Sequence, residues 1–205
     1  MKVIDLTDTI SEEIEVFPGD PTPQLQIINT VEQDGFKQTL LQFVTHTGTH
    51  IDAPAHVFKD GKTLDTFPPE QFVGSALVID CHHKSLITMD DLYATGDLYK
   101  QADFLLFHQN DGQYLQDYAV LDEEVLDYLV HAPYKGIGFD VMSVDSINDE
   151  SLYRHKKILQ TNKIIIENLK NLSQCGHQLF TFYALPLKMK ASDGAPARVI
   201  AVFDA

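Results

Sequence analysis

The sequence predicts an α/β fold, a single compact domain over residues 1–205 built on a mixed sheet. Three observations predict it. The first third carries apolar residues at period two, the pattern of half-buried strands. Beyond it, short continuous apolar runs at 75–80, 103–108, 136–141 and 163–167 alternate with segments of helical spacing. No repeat, low-complexity stretch or Pro/Gly-rich linker divides the chain.

Taken in order, residues 2–6 read as a short strand, and Phe17-Pro18-Gly19-Asp20-Pro21 reads as a turn. Pro fixes φ there and Gly relieves it. Residues 24–31 place Leu25, Ile27 and Val31 on one face, and residues 36–45 continue the pattern with Leu40, Leu41, Phe43 and Val44. Lys59-Asp60-Gly61-Lys62 reads as a hairpin turn, because Asp-Gly supplies positive φ values. Residues 75–80 form a buried strand. Residues 88–95 and 121–131 read as helices, the second with Leu121, Val125, Leu126 and Leu129 on one stripe. The runs 103–108, 136–141 and 163–167 are strands between helices. A helix is expected from Asp149, a good cap, to Leu159. The tail holds strands at 179–185 and 198–202, with Ser192-Asp193-Gly194-Ala195-Pro196 turning between them.

Composition limits the function. The chain has 205 residues, 30 Asp+Glu against 15 Lys+Arg, and a formal net charge of −15. That balance argues against a nucleic-acid binder, which needs a basic face to release counterions, and no run of Lys or Arg is longer than two. Cys81 and Cys175 stand far apart without Cys-x-x-Cys spacing and read as reduced thiols of a cytoplasmic protein. The first residues, Met1-Lys2-Val3-Ile4-Asp5-Leu6, lack the apolar core of a signal peptide. No run approaches the length of a membrane span.

Three of the nine His fall in His46-Thr47-Gly48-Thr49-His50-Ile51-Asp52-Ala53-Pro54-Ala55-His56. If the preceding strand continues, His46, Gly48, His50 and Asp52 sit at even offsets and face one way. Gly48 then leaves room for an ion between the imidazoles. Pro54 ends the strand and His56 follows on a turn. Two neutral imidazoles and a carboxylate suit a dication such as Zn²⁺ or Mn²⁺, and Thr45, Thr47 and Thr49 are candidates to fix the tautomers. The alternative is a polar strand whose His residues cap or pair with carboxylates, and the spacing favours metal. His82-His83 is a poor ligand pair, because neighbours on a strand point to opposite faces. Further on, His155 lies in a helix and Glu167 ends the apolar run at 163–167. A buried strand-end carboxylate needs a partner or a metal, whereas an exposed one needs neither. Spacing alone leaves both readings open.

The sequence resembles the metal-dependent cyclase/hydrolase family that includes bacterial kynurenine formamidase and isatin hydrolase. The resemblance begins at Asp5-Leu6-Thr7 and Phe17-Pro18-Gly19-Asp20-Pro21 and centres on the motif at 46–56. It runs on through Gly138-Phe139-Asp140-Val141-Met142-Ser143-Val144-Asp145, His155 and Ile166-Glu167-Asn168-Leu169-Lys170-Asn171-Leu172. Leu185-Pro186-Leu187 and Asp193-Gly194-Ala195-Pro196-Ala197-Arg198 close it.

The resemblance implies a compact β/β/α domain of swivelling-domain type, assembled as a homodimer or homotetramer with sites near subunit contacts. It implies two divalent metal ions, Zn or Mn. His46, His50 and Asp52 would hold one, and Asp52 would bridge to a second held by His155 and Glu167. It further implies a metal-activated water that attacks a linear or cyclic amide of arylformamide type, with His56 as proton shuttle. The chain has no Gly-x-Ser-x-Gly elbow and needs no nucleophilic Ser or Cys.

Two departures bear on the small-molecule substrate. Phe17 stands where the formamidase branch often carries Trp. His108-Gln109-Asn110-Asp111 stands where many relatives carry Arg-Thr-Gly. Phe17 and His108 are therefore candidate substrate-pocket residues, against core packing and a surface His. The competing functional expectation is an inactive, metal-stabilised binding or scaffolding protein of the same fold.

Overall fold

A computed structural model describes residues 1–82, 84–110 and 117–204. The strands are β1 (Lys2–Asp5), β2 (Gln24–Asn29), β3 (Gln38–Gln42), β4 (His50–Asp52), β5 (Val73–Asp80), β6 (Leu86–Ile87), β7 (Phe104–His108), β8 (Val120–Leu121), β9 (Gly136–Phe139), β10 (Ile164–Glu167), β11 (Phe180–Pro186) and β12 (Gly194–Phe203). The helices are α1 (Val31–Asp34), α2 (Met89–Tyr93), α3 (Glu123–His131) and α4 (Tyr153–Leu159). No helix among the described residues is long and apolar enough to cross a membrane.

Eight strands form one mixed sheet in the order β1-β12-β11-β5-β7-β9-β10-β4, and β4 also pairs with β12. That extra pairing closes the sheet into a barrel-like core. β5, β7, β9 and β10 run parallel, and the remaining pairings are antiparallel. Parallel strands covered on both faces read as unbroken apolar runs, which explains the four runs in the sequence. Side-chain alternation divides them between two cores. Ala76, Val78, Phe104, Leu106, Ile164 and Ile166 point into the barrel. Leu77, Ile79, Leu105, Phe107 and Ile165 meet the helices, including the α3 stripe Val125, Leu126 and Leu129.

Several boundaries differ from expectation. The strand expected over 36–45 ends at Gln42, and residues 45–49 turn before β4 begins. The continuous strand assumed to carry His46, Gly48, His50 and Asp52 is therefore broken. β2 and β3 pair with each other, outside the main sheet, and are joined through α1. The turn at Asp60-Gly61 has no strands on either side. It follows the 3₁₀ turn Pro54–His56, so it is not a hairpin.

The helix expected from Asp149 starts at Tyr153 instead. Asp149 accepts from Ser151 in a local turn, while the free N–H groups of Arg154 and His155 donate to Asp145 at 2.8 and 3.1 Å. A carboxylate from outside the helix thus does the capping. Finally, β12 begins at Gly194 rather than near Arg198. Gly194, Ala195 and Pro196 pair with β4, so the last three residues of the expected turn are already strand. Arg198, further along, is paired with Asp5.

Candidate metal centre

β4 is buried along its length and lies between β10 and β12. Register sets His50 opposite Glu167 and Asp52 opposite Gly194. Residues directly opposite share a face, and so do residues two apart on one strand. His50, Asp52 and Glu167 are therefore brought together by backbone pairing alone.

His46 arrives differently, on the turn before β4. That turn depends on Gly48, whose φ of 63° lies in the left-handed region that favours glycine. A Cβ there would face Ile10 and Ile14, not an ion. Gly48 thus shapes the turn instead of clearing space between the imidazoles, and its carbonyl accepts from His50 Nδ1 at 2.8 Å and Asn168 Nδ2 at 3.1 Å. Gly194 is the residue that makes room, since a Cβ on it would lie 2.6 Å from His46 Cε1. His155 enters from the first turn of α4.

The side chains converge in two groups that share Asp52. His46, His50 and Asp52 form one, and Asp52, His155 and Glu167 form the other. Within each, the donor atoms lie within 4.8 Å of one another. Asp52 Oδ1 is 2.7 Å from His46 Nδ1 and 3.3 Å from His50 Nε2. Its Oδ2 is 3.5 Å from His155 Nε2 and has no hydrogen-bond partner. Glu167 lies 3.5 Å from His50 Nε2 and 3.3 Å from His155 Nε2. A buried carboxylate oxygen without a partner is costly. Together with three imidazoles and a second buried carboxylate, it forms a donor set that fits divalent cations.

The outer nitrogen of each imidazole is occupied, which sets the nitrogen facing the centre. His50 Nδ1 donates to Gly48 O, His155 Nδ1 donates to Asp145 Oδ2 at 2.8 Å, and His46 Nε2 donates to Asp193 Oδ2 at 3.0 Å. This leaves Nε2 of His50 and His155 and Nδ1 of His46 toward Asp52. Such outer hydrogen bonds fix tautomer and ring orientation in metal sites. The expected threonines do not supply them. Thr49 donates to the Asn168 carbonyl, Thr45 donates to Asp193, and Thr47 Oγ1 has no partner.

Asp145 and Asp193 are functional candidates that the sequence did not reveal. The sequence places Asp193 in a turn, 147 positions from His46. Asp145 sits in a quoted motif, but no local pattern links it to His155.

His56 stands over this group on the 3₁₀ turn. Its ring centroid is 4.1 Å from that of His46 and 5.6 Å from that of His155. His56 Nδ1 is 3.8 Å from Asp193 Oδ2. Burial lowers the His56 pKa; the Asp52 charge opposes this, and the positive charges of His46 and His155 add to it.

The other imidazoles move the opposite way. Burial opposes a charge on His46, yet Asp52 and Asp193 push its pKa up to about 10. His155 is likewise raised against burial, by Glu167 and Asp145. Complete burial disfavours the Asp52 anion, but the charges of His50 and His46 hold its pKa well below the ordinary range.

The sign of the pH dependence follows. A raised folded pKa gives stability that is full below the unfolded value, near 6.5, and is lost as pH climbs through about 10. Chelator-treated protein should therefore lose melting temperature from pH 6.5 toward 10. Metal-loaded protein should not, because its ligands are already neutral imidazoles. Parallel slopes in the two thermal-melt series would contradict this.

A cavity of about 250 Å³ opens over the group, lined by Phe17, Met142, Ser143 and Asn168 among others. Phe17 lies at this cavity and His108 does not. His108 is buried at the end of β7, with Nδ1 2.8 Å from Asp140. His82 comes near it, the two with Asp80 forming a separate donor group, while His83 lies outside the described residues.

The fold and this donor set define a metal-dependent hydrolase. Residues 4–146 match the family model described as "Putative cyclase". Kynurenine formamidase from Bacillus cytotoxicus is 31% identical over 96% of this chain and 95% of its own. A solved structure of a potential metal-dependent hydrolase with cyclase activity superposes with a TM-score of 0.82 at 30% identity, covering 98% of this chain and 96% of that one. Isatin hydrolase A from Labrenzia aggregata, at 24% identity, shares the fold with a TM-score of 0.86 over 98% of this chain and 93% of that one. The chain belongs to the cyclase family.

Proposed function

We propose that this chain hydrolyses the C–N bond of a linear or cyclic amide of arylformamide type, as a single domain over residues 1–205, with His56 moving the proton. The chain is an enzyme, a metal-dependent hydrolase of C–N bonds other than peptide bonds. The observation that carries the reading is the Asp52 carboxylate, buried and shared between two donor groups with one oxygen unpaired.

His46, His50 and Asp52 would hold one divalent ion, and Asp52, His155 and Glu167 a second, with Zn²⁺ favoured by the imidazole-rich set and Mn²⁺ the alternative. Bound there, such ions supply Lewis acidity, bringing a water toward a pKa of about 7 and polarising the acyl oxygen. The chain's own residues do the rest. Asp193 lies beside His56 Nδ1, so His56 Nε2 is the nitrogen that takes the proton from the attacking water. Its lowered pKa keeps it neutral, and hence basic, at neutral pH. The same nitrogen then returns the proton to the leaving amine. Asp145 and Asp193 hold the His155 and His46 rings in orientation, and Phe17 and Met142 give the cavity an apolar wall. An inactive scaffold has no use for a neutral imidazole poised beside the ligand group, which favours turnover.

Purified without an affinity tag, the metal-loaded chain should hydrolyse formanilide or N-formylkynurenine and lose that activity on chelation. Failure against N-formyl arylamines, cyclic imides and isatins, with metal bound, would overturn the reading. Cys81 and Cys175 are both free and buried, which supports a reducing, cytoplasmic setting.

The proposal includes a homodimer, alone or paired into a tetramer. β2, β3 and α1 expose Ile27, Ile28, Val31, Leu40 and Leu41 at 46–60% of their surface. A two-stranded ribbon is marginal by itself, and identical apolar patches on two copies can cover each other about a two-fold axis. Sedimentation velocity should show a dimer or tetramer, and Ile27→Lys/Leu40→Glu should shift it to monomer. An unchanged mass for the variant would refute the ribbon as the contact.

A further inference from the structure

The cavity has a polarity along its length that bears on the substrate, and the argument rests on the amide-hydrolase reading above. At its inner end lie the buried His50, His155 and Glu167. At its outer end lie Glu15, Phe17 and Asp20, of which Glu15 and Phe17 are exposed. Asp20 N–H donates to the Phe17 carbonyl at 2.9 Å, so one tight turn brings the aromatic ring and a carboxylate to the same rim.

Lysine and arginine are missing from this lining. Among the described residues that line the cavity none is Lys or Arg. Residues 111–116, outside the described set, contain neither type in their sequence. The chain has two arginines and both are engaged elsewhere. Arg154 donates to the Leu121 carbonyl and lies 3.6 Å from Asp145, and Arg198 forms a two-pronged pair with Asp5. No guanidinium is left to grip a substrate carboxylate, the usual means of binding one.

From these observations we infer that the rim selects amides whose far end carries a positively charged amine and disfavours those whose far end carries a carboxylate. The acyl end enters toward the His50–His155 group. The distal ammonium meets the Glu15 and Asp20 carboxylates and the Phe17 ring, which attract a cation by charge and by the ring quadrupole respectively. The net charge of −15 adds a long-range field of the same sign.

The test uses three probes with the metal-loaded enzyme: formanilide, its aminomethyl-substituted analogue and its carboxylate-substituted analogue. At low ionic strength kcat/KM should rise about fivefold from the neutral to the cationic probe and fall by a similar factor for the anionic one. Added salt should compress the series, because these carboxylates are exposed to screening. In Glu15→Gln/Asp20→Asn the cationic-to-neutral ratio should fall toward one. Reading a ratio within one variant cancels any general loss of activity. Equal turnover of the three probes, or preference for the carboxylate, overturns the charge selection and leaves the hydrolase reading standing. Failure to cleave any of them with metal bound overturns that reading and the selection with it.

Discussion

Asp52→Asn is expected to empty the metal centre and to lower kcat/KM by about a thousandfold or more. Among the described residues, Asp52 alone belongs to both donor groups. One oxygen serves His46 and His50, and the other faces His155 without a hydrogen bond. The amide preserves the volume of the side chain, so the surrounding apolar residues keep their packing. It removes the charge, however, and turns an N–H₂ group toward one of the two groups. One group then loses its acceptor, and the other keeps only a neutral amide oxygen in place of a carboxylate. Metal content by mass spectrometry and kinetics on the same sample check the expectation, with circular dichroism as the control for folding. Wild-type metal content and rate in Asp52→Asn would show that the carboxylate is not shared between ions.

His56→Ala is expected to separate chemistry from metal binding. The ring is 25% exposed at the side chain and belongs to neither donor group that contains Asp52. Metal content should therefore hold while turnover falls by roughly 10²- to 10⁴-fold, the usual contribution of a positioned general acid–base group. The pH profile gives a second signature. In the native chain the His56 pKa is depressed below 6.5 by burial and by its imidazole neighbours. The rate should then drop as pH falls through that value, because protonated His56 cannot accept a proton. In His56→Ala this acid limb should disappear. Unchanged kcat with metal retained would remove His56 from the mechanism, whereas loss of metal would make it a ligand.

The sequence conveyed the chemistry of the centre better than its construction. His46, His50, Asp52 and His56 were legible because four polar residues of the right types fall within eleven positions. The inferred strand geometry was wrong, and the ligands still converge. Register against β10 and β12 places His50 and Asp52, and a left-handed Gly48 places His46. Periodicity cannot detect a turn of that kind, since alternation looks the same on either side of it. His155 and Glu167 stood out in the sequence, but only the resemblance gave them a ligand role. Their meeting depends on β10 lying antiparallel to β4, a contact between segments more than a hundred residues apart.

Asp145 and Asp193 were missed for the same reason in sharper form. Each acts on a ring supplied by another part of the chain, and neither carries a local signature. Elements were best read where burial on two faces left unbroken apolar runs, as in β5, β7 and β10. They were worst read where a distant partner sets the boundary. β12 starts early because β4 pairs with Gly194–Pro196, and α4 starts late because Asp145, not Asp149, caps it.

The central claim is that six residues, His46, His50, Asp52, His56, His155 and Glu167, make a two-ion hydrolytic centre. Stepwise addition of Zn²⁺ or Mn²⁺ to chelator-stripped protein, with formanilide hydrolysis followed at each step, addresses it most directly. No turnover is expected at the start, with activity rising until two equivalents per chain are bound. Full activity in the stripped protein, or a chain that binds neither ion, would contradict it.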